Sequence, residues 1–240
     1  VFECQEIVRR HGLTPVEWLE SIDFLSDRCI LGHVMYPAGH SWVNFAGDDL
    51  AILAKHKASV AHAAWVFARR GVAMESFPAY LGAGVNVCLA TDTSPQSMIE
   101  AMRWSTVVGK IMIRQTELST AADAFNAATL NAAKMLHRDD LGRISAGAMA
   151  DLLFWDASSM FMVPLRDPIK NIVFNATSQD LRDVMVDGAW VMREGQVLNV
   201  DERAVSEALQ QAGERVWSSV NPEVAESADE LSPQTFPDFE

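Results

Sequence analysis

The chain has 240 residues, enough for one large domain or for a domain with a smaller module. Hydrophobic residues make up 49% and charged residues 21%, the balance of a folded chain and not of a disordered one. Thirty-two acidic residues against 19 basic ones leave a net charge of −13 with no basic cluster, which excludes nucleic acid and an anionic membrane surface as expected partners. No apolar run is long enough to span a bilayer and no secretory signal is read, so a cytoplasmic location is expected. Cys4, Cys29 and Cys88 have no ligand-like spacing and sit in or beside apolar stretches, as buried reduced thiols do.

The elements alternate helix and strand. Thr14-Pro15-Val16-Glu17 predicts a helix start, with Thr14 as N-cap, Pro15 at N1 and Glu17 closing a capping box. Residues 29–35 form an apolar run without alternation, which predicts a strand buried on both faces. A helix opening at Asp48 runs to about His56, and a strand over Lys57–His62 follows. A short helix from Phe77 precedes a buried strand over Val85–Ala90. Ser94 and Pro95 predict the cap and first turn of a helix reaching about Gln115. Thr120 opens another, whose core face is read as Phe125, Ala128, Ala132 and Leu136.

The style changes near Asp139. A turn-rich passage, 140–151, leads into short predicted strands at 152–155, 171–174, 184–186 and 189–193, with Asp187-Gly188 as a two-residue hairpin turn. A helix from Asp201 to about Ser218 carries Val205, Leu209, Ala212 and Val216 on one face, and an acidic tail ends the chain. The expected domains are therefore 1–139, an α/β part; 140–200, a small β module; and 201–240, helix and tail. Alternating elements with buried strands imply parallel pairing, but three such strands are too few to close a barrel.

His33, His62 and Asp92 stand at predicted strand ends. In parallel α/β folds the carboxyl ends of the strands face the ligand, so these side chains are expected to converge. Each has an ordinary alternative: a structural histidine for the first two, a turn or cap residue for Asp92. The absence of Gly-x-Gly-x-x-Gly and of a P-loop argues against an open-sheet nucleotide-binding domain.

The stretch Gly84-Val-Asn-Val-Cys-Leu-Ala-Thr-Asp92-Thr-Ser-Pro95 resembles the end of barrel strand eight in the amidohydrolase superfamily. Leu31-Gly-His33 resembles that family's strand-six histidine, and Ser59-Val-Ala-His62 its strand-seven signature. Residues 124–133 and 140–152 are similar to the following helix and to the entry of its β-sandwich. The resemblance is to the group of deaminases and chlorohydrolases acting on cytosine, guanine, S-adenosylhomocysteine and triazines. It covers about residues 1–220 and implies the C-terminal portion of a (β/α)8 TIM barrel plus a small β-sandwich module.

What the resemblance implies for chemistry is metal-activated hydroxide attack on a carbon–nitrogen or carbon–halogen bond of a small heterocyclic substrate, with one Zn2+ or Fe2+ per site. Asp92 corresponds to the aspartate that ligates the metal and accepts the proton. His33 is placed to hydrogen-bond the attacked centre or the hydroxide, and Glu3 to shuttle protons to a ring nitrogen and the leaving group. Trp65 and Phe67 could stack on a flat ring, or simply pack in the core. The sequence departs from the family where many relatives read His-Cys-Pro and this chain reads His62-Ala63-Ala64. The strand-one His-x-His is not among these residues, and the strand-five histidine would fall just before Val1. Metal binding is therefore expected only if those ligands are supplied from elsewhere. The rival expectation is a catalytically incomplete barrel piece with a structural or oligomer-forming role; a homo-oligomer is expected in either case.

Overall fold

The computed structural model describes residues 2–220, in two units divided at Gly195/Gln196. The acidic tail lies outside the described residues.

In the first unit, helices α1 (Phe2–His11) and α2 (Pro15–Ser21) precede strand β1 (Ile30–Gly32). Then come α3 (Asp49–Lys55), β2 (Ser59–His62), α4 (Ala64–Ala68), α5 (Phe77–Gly82), β3 (Asn86–Leu89), α6 (Met98–Ile113), α7 (Ala121–Ala128) and α8 (Leu130–Met135). The three strands make a parallel sheet in sequence order, with Leu31 opposite Val60 and Val60 opposite Val87. The capping box at Thr14 forms as its sequence predicts: the Glu17 amide donates to Thr14 Oγ1 at 3.1 Å and the Thr14 amide to Glu17 Oε2 at 2.8 Å. Thr14 Oγ1 also donates to the buried Asp49 carboxylate at 2.5 Å.

Strands β2 and β3 are buried on both faces; Val60, Val87 and Cys88 are inaccessible to solvent. The expectation fails for 29–35. Only three of those residues are strand, and Ile30 and Gly32 are exposed, because β1 lies at the edge of the sheet and the chain turns left-handed at His33. Helix α6 begins at Met98 with Ser97 as its cap, not at Pro95; Ser94-Pro95 is a cis peptide in the preceding loop. The predicted single helix after Thr120 breaks at Thr129. Its buried face is Ala121, Ala124 and Ala127, one residue out of phase with the expected stripe, and Leu136 is exposed. Close helix–helix packing against α6 selects those alanines over the bulkier residues. Cys88 is buried, whereas Cys4 and Cys29 are half-buried.

The second half of the unit has antiparallel strands β4 (Leu152–Trp155), β5 (Leu181–Val186) and β6 (Ala189–Arg193). Asp187 and Gly188 both take positive φ in the β5–β6 turn, as a two-residue hairpin requires. The predicted strand at 171–174 is instead a π-helical turn, Asn171–Asn175. Its carbonyls find a partner across the unit: Arg103 of α6 donates to the Val173 oxygen at 3.1 Å and to the Ala176 oxygen at 2.6 Å. A side-chain clamp from 70 residues away can stabilise a local conformation that a short apolar run does not disclose.

The second unit contains helix α9 (Glu202–Ser218), capped by Asp201. Its apolar stripe at Val205, Leu209 and Val216 is solvent-exposed.

Candidate active site

The carboxyl ends of β1, β2 and β3 carry the polar groups. The chain leaves β1 through two consecutive left-handed residues, His33 at φ 67° and Val34 at φ 44°. After β3 it turns left-handed again at Asp92, φ 61°. An L-residue in this region costs roughly 1–2 kcal/mol, and a β-branched one such as Val34 is an outlier. Strain of this kind is characteristic of functional sites, where surrounding structure holds a side chain in a direction the backbone alone would not choose. The backbone ladder supplies part of that hold, with the His33 amide donating to the Ala61 oxygen at 2.8 Å and the Ala90 amide to the His62 oxygen at 2.9 Å.

These turns bring His33 Nε2 within 3.7 Å of Asp92 Oδ2. Both side chains stay partly open, 34% and 41% exposed, so a small molecule can reach them. The distance is too long for a hydrogen bond and leaves room for a bridging atom. Phe67, on α4, sets its ring edge-to-face against His33 at 4.7 Å. His62 lies beneath, fully buried and stacked on Phe77. Burial, and then the neighbouring His33, pushes the His62 imidazole down to about 4, so it is neutral at pH 7.

Five buried side-chain polar atoms lack a protein partner among the described residues: His33 Nδ1, His40 Nε2, His62 Nδ1, Trp65 Nε1 and Thr93 Oγ1. His33, His62, Trp65 and Thr93 sit at or just after the ends of β1, β2 and β3, whereas His40 lies in the long loop after β1. Such orphans are uncommon in folded chains and call for an explanation.

Trp65 packs on Trp104 of α6 at 5.0 Å. Glu3 lies in the exposed first turn of α1. Burial, and then the Cys4 thiol and the Glu3 carboxylate, push the Tyr36 hydroxyl up. The loop that follows β1 also holds His40, which sequence reasoning missed. His40 is buried, its Nδ1 accepts from the Trp42 amide at 3.1 Å, and its Nε2 faces Glu75 Oε1 at 3.8 Å. A cavity of about 210 Å³ lies here, lined by Pro37, Ala38, His40, Glu75 and Tyr80 among others. A histidine eight residues past a strand gives no periodic signal; the path of the loop sets it beside Glu75.

Catalytic zinc takes three protein ligands with one open position. Among the described residues no group of three or more His, Cys, Asp or Glu side chains could hold a metal ion. Asp92 and His33 are therefore not a complete metal site by themselves. No described helix is long and apolar enough to cross a membrane.

Comparison with known proteins agrees with this architecture. A profile of the amidohydrolase family matches residues 3–191. The chain is 28% identical over 221 residues to the 5′-deoxyadenosine deaminase of Methanopyrus kandleri, covering 90% of this chain and 49% of that protein. It is 31% identical over 217 residues to the 5-methylthioadenosine/S-adenosylhomocysteine deaminase of Halobacterium salinarum, covering 88% and 48%. The chain thus spans about half the length of the curated relatives it matches. In fold it is similar to a zinc-bound adenosine deaminase from Xanthomonas campestris, with a TM-score of 0.81, 22% identity, and coverage of 91% and 49%. It is likewise similar to the zinc complex of atrazine chlorohydrolase from Arthrobacter aurescens, with a TM-score of 0.73, 23% identity, and coverage of 86% and 46%. The mixed α/β fold and the profile over most of its length together place this chain in the amidohydrolase family.

Proposed function

We propose that this chain supplies the carboxyl-terminal portion of a (β/α)8-barrel hydrolase that replaces an amino group or a halide on a nitrogen heterocycle by water. The observation that carries the proposal is the 3.7 Å approach of His33 and Asp92 at the strand ends. The names of the relatives, deaminases of adenine-containing nucleosides and a chlorohydrolase, support the substrate class.

The roles we assign are those the family resemblance implies, and the strand-end geometry of His33 and Asp92 supports them. Water adds to the electron-poor ring carbon, and its proton passes to Asp92, whose exposed carboxylate can accept it. His33 Nε2, turned to the same space, donates to the attacked centre or to the incoming oxygen. The amine leaves as ammonia, or the halide as its anion; in the first case a proton must reach the leaving nitrogen, the role we assign to Glu3. Phe67 fixes the His33 ring from the side, and Trp65 and Phe67 offer apolar surface to a flat substrate.

The zinc bound in the structural neighbours supports a divalent metal, Zn2+ or Fe2+, as part of the proposal. It requires ligands from beyond the described residues. We assign residues 1–139 to the barrel, 140–200 to a β-sandwich module and 201–240 to a terminal helix and tail, in a cytoplasmic homo-oligomer.

The test is incubation of the full encoded protein with amino- and chloro-substituted purines, pyrimidines and triazines, scored by ammonia and halide release, with metal analysis alongside. Release from at least one compound, with close to one metal per chain, is expected. No release from any compound by protein carrying that metal would overturn the proposal. A second reading is a barrel piece without catalysis, with a structural or oligomer-forming role. It predicts neither metal nor turnover.

A further inference from the structure

We propose that Tyr80 is a positioning residue for the His33–Asp92 pair: its hydroxyl, bonded to the Val34 carbonyl, holds the left-handed turn that directs His33 to Asp92. The proposal rests on the hydrolase reading only where it concerns turnover; the positioning itself is a property of the fold.

The turn after β1 needs holding. His33 and Val34 are consecutive left-handed residues, and neither is a glycine. Val34 is β-branched, so relaxation toward extended backbone is downhill for it. Three hydrogen bonds oppose that relaxation. The His33 amide donates to Ala61 of β2 at 2.8 Å, and the Val34 amide reaches back to the Gly32 oxygen at 2.8 Å. The third comes from a distant element: Tyr80 Oη donates to the Val34 oxygen at 2.6 Å. The first two use neighbouring backbone and tie only the amide side of the turn. Tyr80 alone ties its carbonyl side to a helix.

Tyr80 is suited to this. It belongs to α5, its ring is buried in the core cluster with Met74 and Phe77, and it is only 2% exposed. A rigid ring anchored at its base sets the position of its hydroxyl with little freedom. The partner oxygen belongs to the residue directly after His33. Loss of the bond frees the Val34–Met35 peptide to rotate, which relaxes the left-handed turn at Val34 and lets the His33 imidazole turn away from Asp92. A tyrosine kept merely to fill the core has no need of a hydroxyl aimed at a strained peptide one residue from the site.

The test compares amide hydrogen exchange at His33 and Val34 in the native chain, Tyr80→Phe, Val34→Gly and the double variant. Phenylalanine keeps the ring and removes the donor; glycine removes the strain. The proposal predicts that Tyr80→Phe speeds exchange at His33 and Val34 by about tenfold and leaves Val60 and Val87 unchanged. In the Val34→Gly background the same substitution has a much smaller effect. If the protein turns over a heterocycle, kcat falls by about 10–100-fold with KM within a few-fold. Unchanged exchange at His33 and Val34, or an equal rise at all core amides, would overturn the proposal. Should Tyr80→Phe fail to fold, the double variant is expected to fold, and its failure would also overturn it. The exchange readout needs no turnover, so it fails or succeeds independently of the hydrolase reading.

Discussion

His33 and Asp92 approach to 3.7 Å although their strands are not neighbours. Strand β2 lies between β1 and β3, a separation of roughly 9–10 Å at the usual strand spacing. The pair therefore meets over the end of β2, above the buried His62. Left-handed backbone at both ends makes the meeting possible.

Asp92 is left-handed by position, and aspartate and asparagine tolerate that conformation better than other non-glycine residues. Asp92→Asn is expected to leave stability within about 0.5 kcal/mol of native, Asp92→Ala to lower it by roughly 1 kcal/mol, and Asp92→Gly to match or exceed native. Urea denaturation of the three variants checks the order. A stability ranking with alanine above glycine would show that the turn is not strained.

The buried His62 makes stability depend on pH in one direction. Its imidazole titrates at about 4 in the folded chain, against roughly 6.5 when unfolded. Between those values the unfolded chain binds the extra proton and the folded chain does not. Stability therefore falls as pH drops from about 6.5 to about 4, by about 3 kcal/mol for this residue, and its contribution levels off below. Denaturation midpoints at pH 7 and pH 5 should differ less in a His62→Gln variant than in the native chain. An identical pH slope in both would contradict the assignment.

Thr14 has two duties: it caps α2 and donates to the buried Asp49. Thr14→Ala loses the cap and leaves Asp49 with one donor fewer, the Ala38 amide at 2.7 Å remaining. A loss of about 2–3 kcal/mol is expected, with Thr14→Ser recovering most of it. Chemical denaturation measures both; equal losses in Ala and Ser would place the effect in the methyl group instead.

Local signals were the legible ones. The Thr14 capping box, the Asp187-Gly188 hairpin and the buried runs of β2 and β3 are each specified within a few residues, and each forms. The strand-end positions of His33, His62 and Asp92 could be read from the same runs. What sequence reasoning missed depends on distant partners. The π-helical turn at Asn171–Asn175 is held by Arg103, and the His33–Val34 turn by Tyr80. His40 reaches Glu75 by a loop path that no periodicity encodes. The phase of the α7 face is set by what it packs against, so Ala124 is fully buried while Phe125 packs half-buried at the margin of the core.

The most direct measurement of the central claim is kcat of Asp92→Asn against native protein, on the best heterocycle found by ammonia or halide release. Asparagine keeps the shape and the left-handed turn but cannot accept the proton from water. The account predicts a fall of about 10²–10⁴-fold with unchanged unfolding behaviour. Turnover undiminished in Asp92→Asn would contradict it.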